Sequence, residues 1–376
     1  MGLNIKQLLG YEKQDSFGYA VVIGDINGDS VNELIVASAN VATGGVIIYI
    51  YSEKTKKIIT KLRIGKKKVN TIRLLVKDIN QDKINELIVA ITYQDLSGEV
   101  KVLSLKQNKT IYYWKSLHKY DAFGFSLAIG DVNGDGFYDI IVSAPNPVKN
   151  GKGVVYAYSG KDGILIKEFI STIPRDYCDF GTSVAAADIN GDGVDEIIIG
   201  SPGVPYGEVF VYSAKHGWLI YKLKGEPGFG TLVYSDDING DNFNEIIVTT
   251  KNLEGNTVSV FGNNFRNLYD IKNDEVDIGF GETITTGDIN GDSKKELIIG
   301  AFDANHLRKK YTGQVSIHDG TNGVQIQRWY GREEKDQFGF SLFSSTVDNG
   351  SKDVILIGAP REMLKKKGIV YLVSID

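Results

Sequence analysis

The feature that most constrains this chain is a short acidic pattern that returns at nearly constant intervals. The pattern consists of an aspartate, an aliphatic residue, an asparagine, any residue and a second aspartate. Its six copies begin at Asp25, Asp78, Asp131, Asp188, Asp237 and Asp288. The mean interval is about 53 residues, so seven units of that length would occupy nearly all of the 376 residues. A period of this size is typical of proteins in which one supersecondary unit repeats.

The C-terminal part of the chain carries a seventh unit that lacks the acidic pattern. Its segment 338–342 matches segment 123–127 of unit three, and its segment 357–360 matches segment 142–145 of the same unit. We therefore expect seven repeats within a single domain that spans residues 1–376.

Each unit predicts four short β-strands. In unit three, runs rich in β-branched and aromatic residues lie at 123–130, 139–144, 153–159 and 164–170. The last two runs flank the turn 160–163, which has glycine at both ends and suits a tight hairpin. No segment repeats its apolar residues at helical spacing. The prediction is an all-β chain folded as a seven-bladed β-propeller of four-stranded blades.

The two ends of the chain distinguish a closed ring from an open solenoid. The last unit stops after a third strand at 368–374, and an apolar segment at 3–9 precedes the first unit. A ring explains both observations if residues 3–9 supply the fourth strand of blade seven. A solenoid would leave both segments without a partner.

Composition excludes several classes of protein. The chain has 42 Lys and Arg against 47 Asp and Glu, a formal net charge of −5, so we expect no nucleic-acid partner. No apolar run approaches the ~20 residues of a transmembrane helix. The sole cysteine, Cys178, excludes an internal disulfide framework. The N-terminus has no signal-peptide pattern, so the protein is either cytosolic or a mature chain whose signal was removed.

The acidic loops present oxygen atoms at alternating positions, counted from the first aspartate as position 1. Positions 1, 3, 5 and 9 carry carboxylates or an asparagine amide, and we expect the backbone carbonyl of position 7 to add a ligand. Carboxylates crowded in one small loop repel one another, and Ca²⁺, which accepts six to eight oxygens, would relieve that repulsion. The predicted cofactor is Ca²⁺, at about six structural sites. The predicted ligands, loop by loop, are Asp25, Asn27, Asp29, Val31 and Glu33; Asp78, Asn80, Asp82, Ile84 and Glu86; Asp131, Asn133, Asp135, Phe137 and Asp139; Asp188, Asn190, Asp192, Val194 and Glu196; Asp237, Asn239, Asp241, Phe243 and Glu245; Asp288, Asn290, Asp292, Lys294 and Glu296.

Two other interpretations of these loops are weaker. A helix–loop–helix calcium hand needs Glu at position 12, where this chain has aliphatic residues such as Val36 and Ile199. Clusters of Asp, Asn and Gly also form ordinary turns without a metal. The acidic residue at position 9 of all six copies favours a metal site over a simple turn.

Two further motifs accompany the acidic loops. Ala-Pro ends the second strand of two units, at Ala144 and Ala359. Phe-Gly pairs open six units, at Phe17, Phe123, Phe180, Phe229, Phe280 and Phe338. With these residues the chain resembles the FG-GAP repeat family, whose best-known members form the seven-bladed propeller head of integrin alpha subunits. The resemblance implies structural calcium in the acidic loops, on the face opposite the main ligand-binding face.

Units two and seven depart from the family pattern. Unit two has Asn70 and Thr71 in place of Phe-Gly, and Gln81 and Lys83 where glycines are usual. Its calcium site, at Asp78, is therefore expected to be the weakest of the six. Unit seven lacks aligned oxygens at positions 1 and 3, and no ion is expected there.

The sequence carries no recognisable catalytic motif, and three hypotheses for function follow. Asp15, Asp121 and Asp336 stand two residues before Phe-Gly and either shape a turn or line the channel mouth as acids. The leading hypothesis is a non-catalytic, adhesion-like module that binds a protein or a glycan. It is expected outside the cytosol or at the cell surface, since sites of this kind often require millimolar calcium. The alternatives are a polysaccharide lyase or hydrolase with its site at the channel mouth, and a structural scaffold.

The expected ligand face lies opposite the acidic loops, where the connections between second and third strands meet. In units six and seven these connections are strongly basic, although the chain is acidic overall. Clustered cations favour an anionic partner, such as an acidic glycan or an acidic protein surface. The candidate ligand residues are Arg308, Lys309, Lys310, Tyr311, Arg361, Lys365, Lys366 and Lys367.

Overall fold

Twenty-eight β-strands form seven separate four-stranded antiparallel sheets in the computed structural model. The structure describes residues 3–375 except 12–14, 41–43, 117, 119, 150–151, 172–178, 204, 254, 274–278, 348–351 and 362–365, and does not describe the side chains of 3 and 147–149. Among the described residues no helix is long and apolar enough to cross a membrane. The first strands of neighbouring blades contact one another, so they surround a central axis.

Blades one to four take their strands in chain order. Blade one contains β2 (Phe17–Gly24), β3 (Glu33–Ala39), β4 (Val46–Ser52) and β5 (Ile58–Ile64). Blade two contains β6 (Val69–Lys77), β7 (Glu86–Tyr93), β8 (Gly98–Ser104) and β9 (Lys109–Lys115). Blade three contains β10 (Leu127–Gly130), β11 (Asp139–Lys149), β12 (Lys152–Tyr158) and β13 (Leu165–Ile170). Blade four contains β14 (Ser183–Ala187), β15 (Glu196–Ser201), β16 (Glu208–Ser213) and β17 (Trp218–Lys224).

Blades five and six follow the same plan, and blade seven uses both ends of the chain. Blade five contains β18 (Phe229–Asp236), β19 (Glu245–Thr250), β20 (Thr257–Phe261) and β21 (Asn267–Lys272). Blade six contains β22 (Thr283–Gly287), β23 (Glu296–Ala301), β24 (Gln314–Asp319) and β25 (Gln325–Tyr330). Blade seven contains β26 (Ser341–Thr346), β27 (Asp353–Ala359), β28 (Ile369–Ile375) and β1 (Leu3–Leu9).

The predicted seven-bladed propeller and its closure by the N-terminal strand are confirmed. Strand β1 pairs antiparallel with β28 from Leu3 opposite Ile375 to Leu9 opposite Ile369. Two boundaries in unit three were predicted wrongly. Strand β10 begins at Leu127 rather than at residue 123, because Phe125 N–H donates to the carbonyl of Ala122 in a turn that precedes the regular ladder. Strand β11 continues to Lys149 rather than ending at residue 144, through a register irregularity after Ala144.

Seven apolar clusters hold the ring together, and each lies between two neighbouring blades. Val22 and Ile35 of blade one pack with Ile72 and Leu87 of blade two, and the same arrangement recurs around the ring. The seventh cluster joins blade seven to blade one and includes Phe17. Every blade buries apolar side chains on both of its faces. An open array of blades would therefore expose one apolar face of the first blade and one of the last blade to solvent.

The Phe-Gly pairs stabilise the contact between blades. Phe17 is buried and meets the ring of Tyr49 on the third strand of its blade, with centroids 5.4 Å apart and planes at 72°. The equivalent contacts are Phe123–Tyr156, Phe180–Phe210, Phe229–Phe261, Phe280–His318 and Phe338–Tyr371. The glycine that follows has φ between 78° and 91° in all six pairs, a conformation that favours glycine. At Gly339 an added Cβ would also lie 2.6 Å from the Gln314 carbonyl of the preceding blade.

The aspartates that precede Phe-Gly shape turns. Asp121 is buried, and its carboxylate accepts hydrogen bonds from the N–H groups of Phe123 at 3.0 Å and His118 at 3.2 Å. Asp336 accepts two backbone N–H bonds in the same way, at 2.9 Å and 2.8 Å. These side chains therefore cap the connection that enters a blade.

Candidate metal-binding loops

The six acidic loops occupy the same place in blades one to six. Each loop starts directly after the first strand, and its position 9 is the first residue of the second strand. Because all six first strands run in the same direction around the axis, the loops lie at one face of the ring. Each predicted ligand set therefore lies within one turn, and the six turns share a face.

The aspartate at position 1 and the acid at position 9 organise the loop backbone. In loop one, the carboxylate of Asp25 accepts hydrogen bonds from the N–H groups of Gly28 at 2.7 Å and Ser30 at 2.8 Å. Glu33 Oε2 accepts a hydrogen bond from the N–H of Ile26 at 3.1 Å. The bond from position 6 to position 1 measures 2.8–2.9 Å in all six loops. One geometry is therefore repeated six times.

The asparagine at position 3 links the loop's acids. Asn27 Oδ1 accepts a hydrogen bond from Asp29 N–H at 2.8 Å, and Asp29 Oδ1 accepts one from Val31 N–H at 2.9 Å. Asn27 Nδ2 donates to Glu33 Oε1 at 2.7 Å. The bond from Nδ2 to the acid at position 9 is present in every loop. The neutral amide of the position 3 asparagine therefore donates to the oxygen of the position 9 acid that faces the loop.

The position 9 acids are buried carboxyl groups without a cationic partner. Their exposed fraction is at most 3%, and among the described residues none forms an ion pair with Lys or Arg. Burial raises the pKa of Glu33 to about 7; the hydrogen bond from Ile26 N–H opposes this rise, and the carboxylates of Asp29 and Asp25 add to it. The pKa is also raised to about 7, chiefly by burial, for Glu86, Asp139, Glu196, Glu245 and Glu296. Removing a carboxylate from water is costly unless a positive charge compensates it.

The donor chemistry of each loop fits a hard cation, but the ligands are not converged. Carboxylate oxygens, an amide oxygen and a backbone carbonyl are the atoms that Ca²⁺ prefers. Several of these oxygens bond to N–H groups of their own loop, and in the described part of the chain no group of three or more His, Cys, Asp or Glu side chains is preassembled for a metal. To bind in a loop, a cation would therefore have to displace the hydrogen bond from the position 3 asparagine Nδ2 to the position 9 acid. The asparagine Oδ1 would then have to move towards that acid.

Loop two keeps the common geometry at a higher conformational cost. Positions 4 and 6 are left-handed in all six loops, and only in loop two are both residues other than glycine, namely Gln81 at φ 62° and Lys83 at φ 67°. Asp78 Oδ1 is buried and has no hydrogen-bond partner. A cation would satisfy that oxygen, so loop two combines backbone strain with an unused ligand atom.

Position 8 connects neighbouring loops, which the sequence analysis did not predict. Asn85 of loop two donates from Nδ2 to the carbonyl of Asp25 at 3.0 Å. Asp195 of loop four accepts a hydrogen bond from the N–H of Asp131 at 2.8 Å. Asparagine or aspartate at position 8 in loops one, two, four and five is the sequence signal for this contact. Position 1 of one loop is therefore held by the loop of the next blade.

On the basic connections of blades six and seven, three predicted ligand cations already have partners. Arg361 and the buried Asp336 form an ion pair at 2.8 Å, and the Arg361 side chain is 11% exposed. Lys366 Nζ lies 2.6 Å from Glu333 Oε2, and Lys309 Nζ donates to the backbone carbonyl of Arg332 at 2.8 Å. Arg361 is thus a structural residue in this arrangement, and Lys365 lies outside the described residues.

Three other cationic side chains on these connections, also predicted to bind the ligand, are exposed and have no ion pair among the described residues. They are Arg308, Lys310 and Lys367. Tyr311 is 38% exposed beside them. Leu307, Arg308 and Tyr311 all have left-handed backbone, at φ 48°, 67° and 56°. A left-handed backbone at non-glycine residues is strained and persists only where neighbouring groups stabilise it. One such contact is the hydrogen bond from Tyr311 N–H to Asn305 Oδ1 at 3.0 Å.

Seven blades in a closed ring, with an acidic loop on one face of six of them, define a repeat β-propeller. The family model for the FG-GAP repeat matches residues 123–158, 180–212 and 280–318. Each match runs from the Phe-Gly pair to the third strand of blades three, four and six. The chain is therefore a propeller that carries FG-GAP repeats, as the resemblance implied.

Relatives support this assignment, and a solved structure shares the fold. The chain is 30% identical to integrin alpha pat-2 of Caenorhabditis elegans over 66% of its length and 18% of the relative's. It is 27% identical to human phosphatidylinositol-glycan-specific phospholipase D over 63% of its length and 35% of the relative's. It thus spans less than a fifth of the integrin it matches. The structure of rhamnogalacturonan lyase YesW superposes with a TM-score of 0.54 at 13% identity, covering 98% of this chain and 72% of the lyase, which shows a shared fold.

Proposed function

We propose that this propeller is a calcium-stabilised, non-catalytic, adhesion-like module that binds a protein or glycan outside the cytosol or at the cell surface. The observation that carries the proposal is the set of six buried position 9 acids, each in a loop of oxygen donors and without an ion-pair partner among the described residues. The similarity to integrin alpha subunits supports the adhesion-like role.

Calcium would supply positive charge to each loop, and the residues at positions 1, 3, 5, 7 and 9 would hold it. In loop one these are Asp25, Asn27, Asp29, the carbonyl of Val31, and Glu33. The first strand ends just before position 1, and the second begins at position 9. Compensating the acids therefore stabilises the hairpin that joins the two inner strands of the blade. The ion's role in this account is structural.

The partner is proposed to be anionic and to bind the basic face, which we define as Arg308, Lys310, Tyr311 and Lys367. The three cations are exposed and have no ion pair among the described residues. A tyrosine ring among them adds apolar contact area. Attraction between exposed charges is screened over ~10 Å at 0.1 M salt, so binding should weaken as salt rises.

The basic face is tested by replacing Arg308, Lys310 and Lys367 together with Ser. Retention on dextran sulfate, which has no uronate, and on polyglutamate, in calcium buffer, measures capture of an anionic glycan and an anionic polypeptide. We expect the triple variant to lose retention while its melting temperature stays the same. The control replaces three exposed cations elsewhere, Lys57, Lys115 and Lys272, with Ser. Equal loss in both variants would show that net charge, not this face, governs binding.

Catalysis is not part of the proposal. The likeness to the rhamnogalacturonan lyase concerns the fold, and the chain covers only 35% of the human phospholipase. The aspartates before Phe-Gly are the candidate channel acids, and two of them, Asp121 and Asp336, accept backbone hydrogen bonds in turns. A polysaccharide lyase or hydrolase remains the alternative, and an assay of uronide cleavage by the calcium-loaded protein distinguishes it.

A further inference from the structure

A groove opens at the rim of the propeller between the outer strands of blades six and seven. This rim groove is lined by Ile5, Arg328, Trp329, Tyr330, Arg332, Phe338, Tyr371 and Val373 and has a volume of about 300 Å³. Strand β25 supplies one wall, and strands β28 and β1 supply the other. The volume is at the low end of the range for ligand pockets, so it suits a single small ring.

A comparison within the molecule explains why the groove exists. Trp114 in blade two and Trp329 in blade six occupy the same register, opposite Val100 and Val315. Trp114 stacks on Tyr158 of blade three, with centroids 4.7 Å apart, and donates from Nε1 to the carbonyl of Gly163 at 3.2 Å. Gly163 belongs to the turn that joins the third and fourth strands of blade three.

Blade seven has no such turn, because its third and fourth strands, β28 and β1, come from opposite ends of the chain. Where blade three has Tyr158, blade seven has the smaller Val373, which pairs with Ile5. The space that Tyr158 and the turn at Gly163 fill between blades two and three is therefore open between blades six and seven. Trp329 Nε1 is buried and has no hydrogen-bond partner. Because that atom is enclosed, a ligand in the groove would contact the indole ring and not Nε1.

Three further residues of the groove wall are aromatic, and each of them contacts another ring. Phe338 and Tyr371 meet edge to face with ring centroids 5.2 Å apart. Tyr330 stacks on His306 at 3.8 Å with planes at 14°. Trp and Tyr rings offer flat apolar area together with a polar group, which suits a ring that has both apolar faces and hydroxyls.

Two guanidinium groups give the rim groove a positive charge. Arg328 donates from Nε and from a terminal nitrogen to the neutral Gln325 Oε1, at 3.0 Å and 2.6 Å. Arg332 is exposed, and among the described residues neither arginine forms an ion pair with a carboxylate. The acids nearby are engaged elsewhere, Glu333 with Lys366 and Asp336 with Arg361. A guanidinium binds a carboxylate through two parallel hydrogen bonds.

We propose that the rim groove binds a hexuronate, a sugar ring that bears one carboxylate. The aromatic wall, including the indole ring of Trp329, would receive the sugar ring, and Arg328 and Arg332 would bind the carboxylate. The groove lies apart from the acidic loops, and its proposed contacts require no calcium. The inference therefore goes beyond the proposed function and can fail independently of it.

The test is a titration of the 376-residue chain with D-galacturonate, D-glucuronate and D-galactose, followed by calorimetry and by tryptophan fluorescence. We expect saturable binding of the uronates, with a change in fluorescence, and at least tenfold weaker binding of galactose. Arg332→Gln should weaken uronate binding at least tenfold, whereas Arg266→Gln, at an exposed arginine in the turn before the outer strand of blade five, should not. Trp329→Phe should remove the fluorescence change, and Trp218→Phe should keep it.

A galacturonate trimer distinguishes the source of the sugar. Tighter binding of the trimer than of the monomer points to a unit within a polysaccharide, and equal binding points to the free sugar. The proposal is overturned if neither uronate binds saturably or if galactose binds as well as galacturonate. It is also overturned if Arg266→Gln weakens binding as much as Arg332→Gln does. Arg332 is exposed, so its substitution is compatible with folding, which melting curves verify.

Discussion

Individual residues determine how much strain each acidic loop carries. Positions 4 and 6 require left-handed backbone, which most loops provide with at least one glycine. Loop two places Gln81 and Lys83 there and still adopts the same turn, because Asp78 accepts the Lys83 N–H at 2.8 Å. Gln81 also donates from Nε2 to the Gly136 carbonyl of the next loop at 2.7 Å. Local hydrogen bonds thus offset a backbone cost of about 1–2 kcal/mol per residue.

The first prediction is that Lys83→Gly stabilises the protein. Glycine removes the left-handed cost but loosens the unfolded chain, so the expected gain is about 0.5–1 kcal/mol in the free energy of unfolding. Lys54→Gly, in an exposed turn without left-handed backbone at that residue, should lose stability instead. Urea unfolding of both variants in chelator measures the difference. A loss of stability in Lys83→Gly would contradict the strain assigned to loop two.

At the scale of elements, the N-terminal strand determines whether the ring is closed. Strand β1 forms a seven-residue antiparallel ladder with β28. Its partner β28 is buried over most of its length and carries Ile369, Val370 and Tyr371 of the interblade clusters. Without β1, the backbone groups of β28 would face solvent as an exposed edge that can pair with other chains.

The second prediction concerns deletion of residues 1–10. The truncated protein should melt at a lower temperature and aggregate, because β28 becomes an unprotected edge. A synthetic peptide of residues 1–10 added in trans should restore part of the lost stability, since the missing strand can pair again with β28. Light scattering and thermal melting are the measurements. A truncated protein that stays monomeric and melts like the parent would show that β1 is dispensable.

Much of the fold could be predicted from sequence because the same pattern of strands and turns recurs in several units. A segment that is ambiguous in one unit can therefore be interpreted from the others. Residues 3–9 and the six acidic loops lie where the pattern placed them, since alternating apolar residues and turn chemistry act locally. The pairing of Arg361 with Asp336 could not be predicted, because it joins connections from different parts of the chain. The rim groove was also missed. It depends on a turn that blade three has and blade seven lacks, and no single motif encodes that difference.

At the scale of the whole molecule, the acidic loops concentrate charge on one face. The predicted ligands of these loops include 18 of the 47 acidic side chains, while the net charge of the whole chain is only −5. Six divalent ions would reverse the sign of that net charge. Hydrogen bonds between neighbouring loops, such as Asn85 to Asp25 at 3.0 Å, join loops around the ring. The loss of one ion should therefore affect the adjacent blades.

The third prediction is that calcium raises the melting temperature by mass action. Each site saturated 100-fold above its Kd adds about 2.7 kcal/mol, so several sites together should shift melting by roughly 10 °C or more. Glu245→Gln, which removes one buried carboxylate, should reduce the shift, whereas Glu226→Gln, at an exposed position outside the loops, should leave it unchanged. Equal shifts in both variants would place the stabilising ions elsewhere.

The most direct test of the central claim is a count of calcium ions bound per chain. Metal-free protein is dialysed against calcium, and bound metal is measured by atomic emission with the free ion subtracted. The six equivalent loops predict about six ions per chain, with the loop at Asp78 the last to fill, and about one fewer in Glu245→Gln. Fewer than one ion per chain at millimolar calcium, in protein verified as folded, would show that the acidic loops are turns and not metal sites.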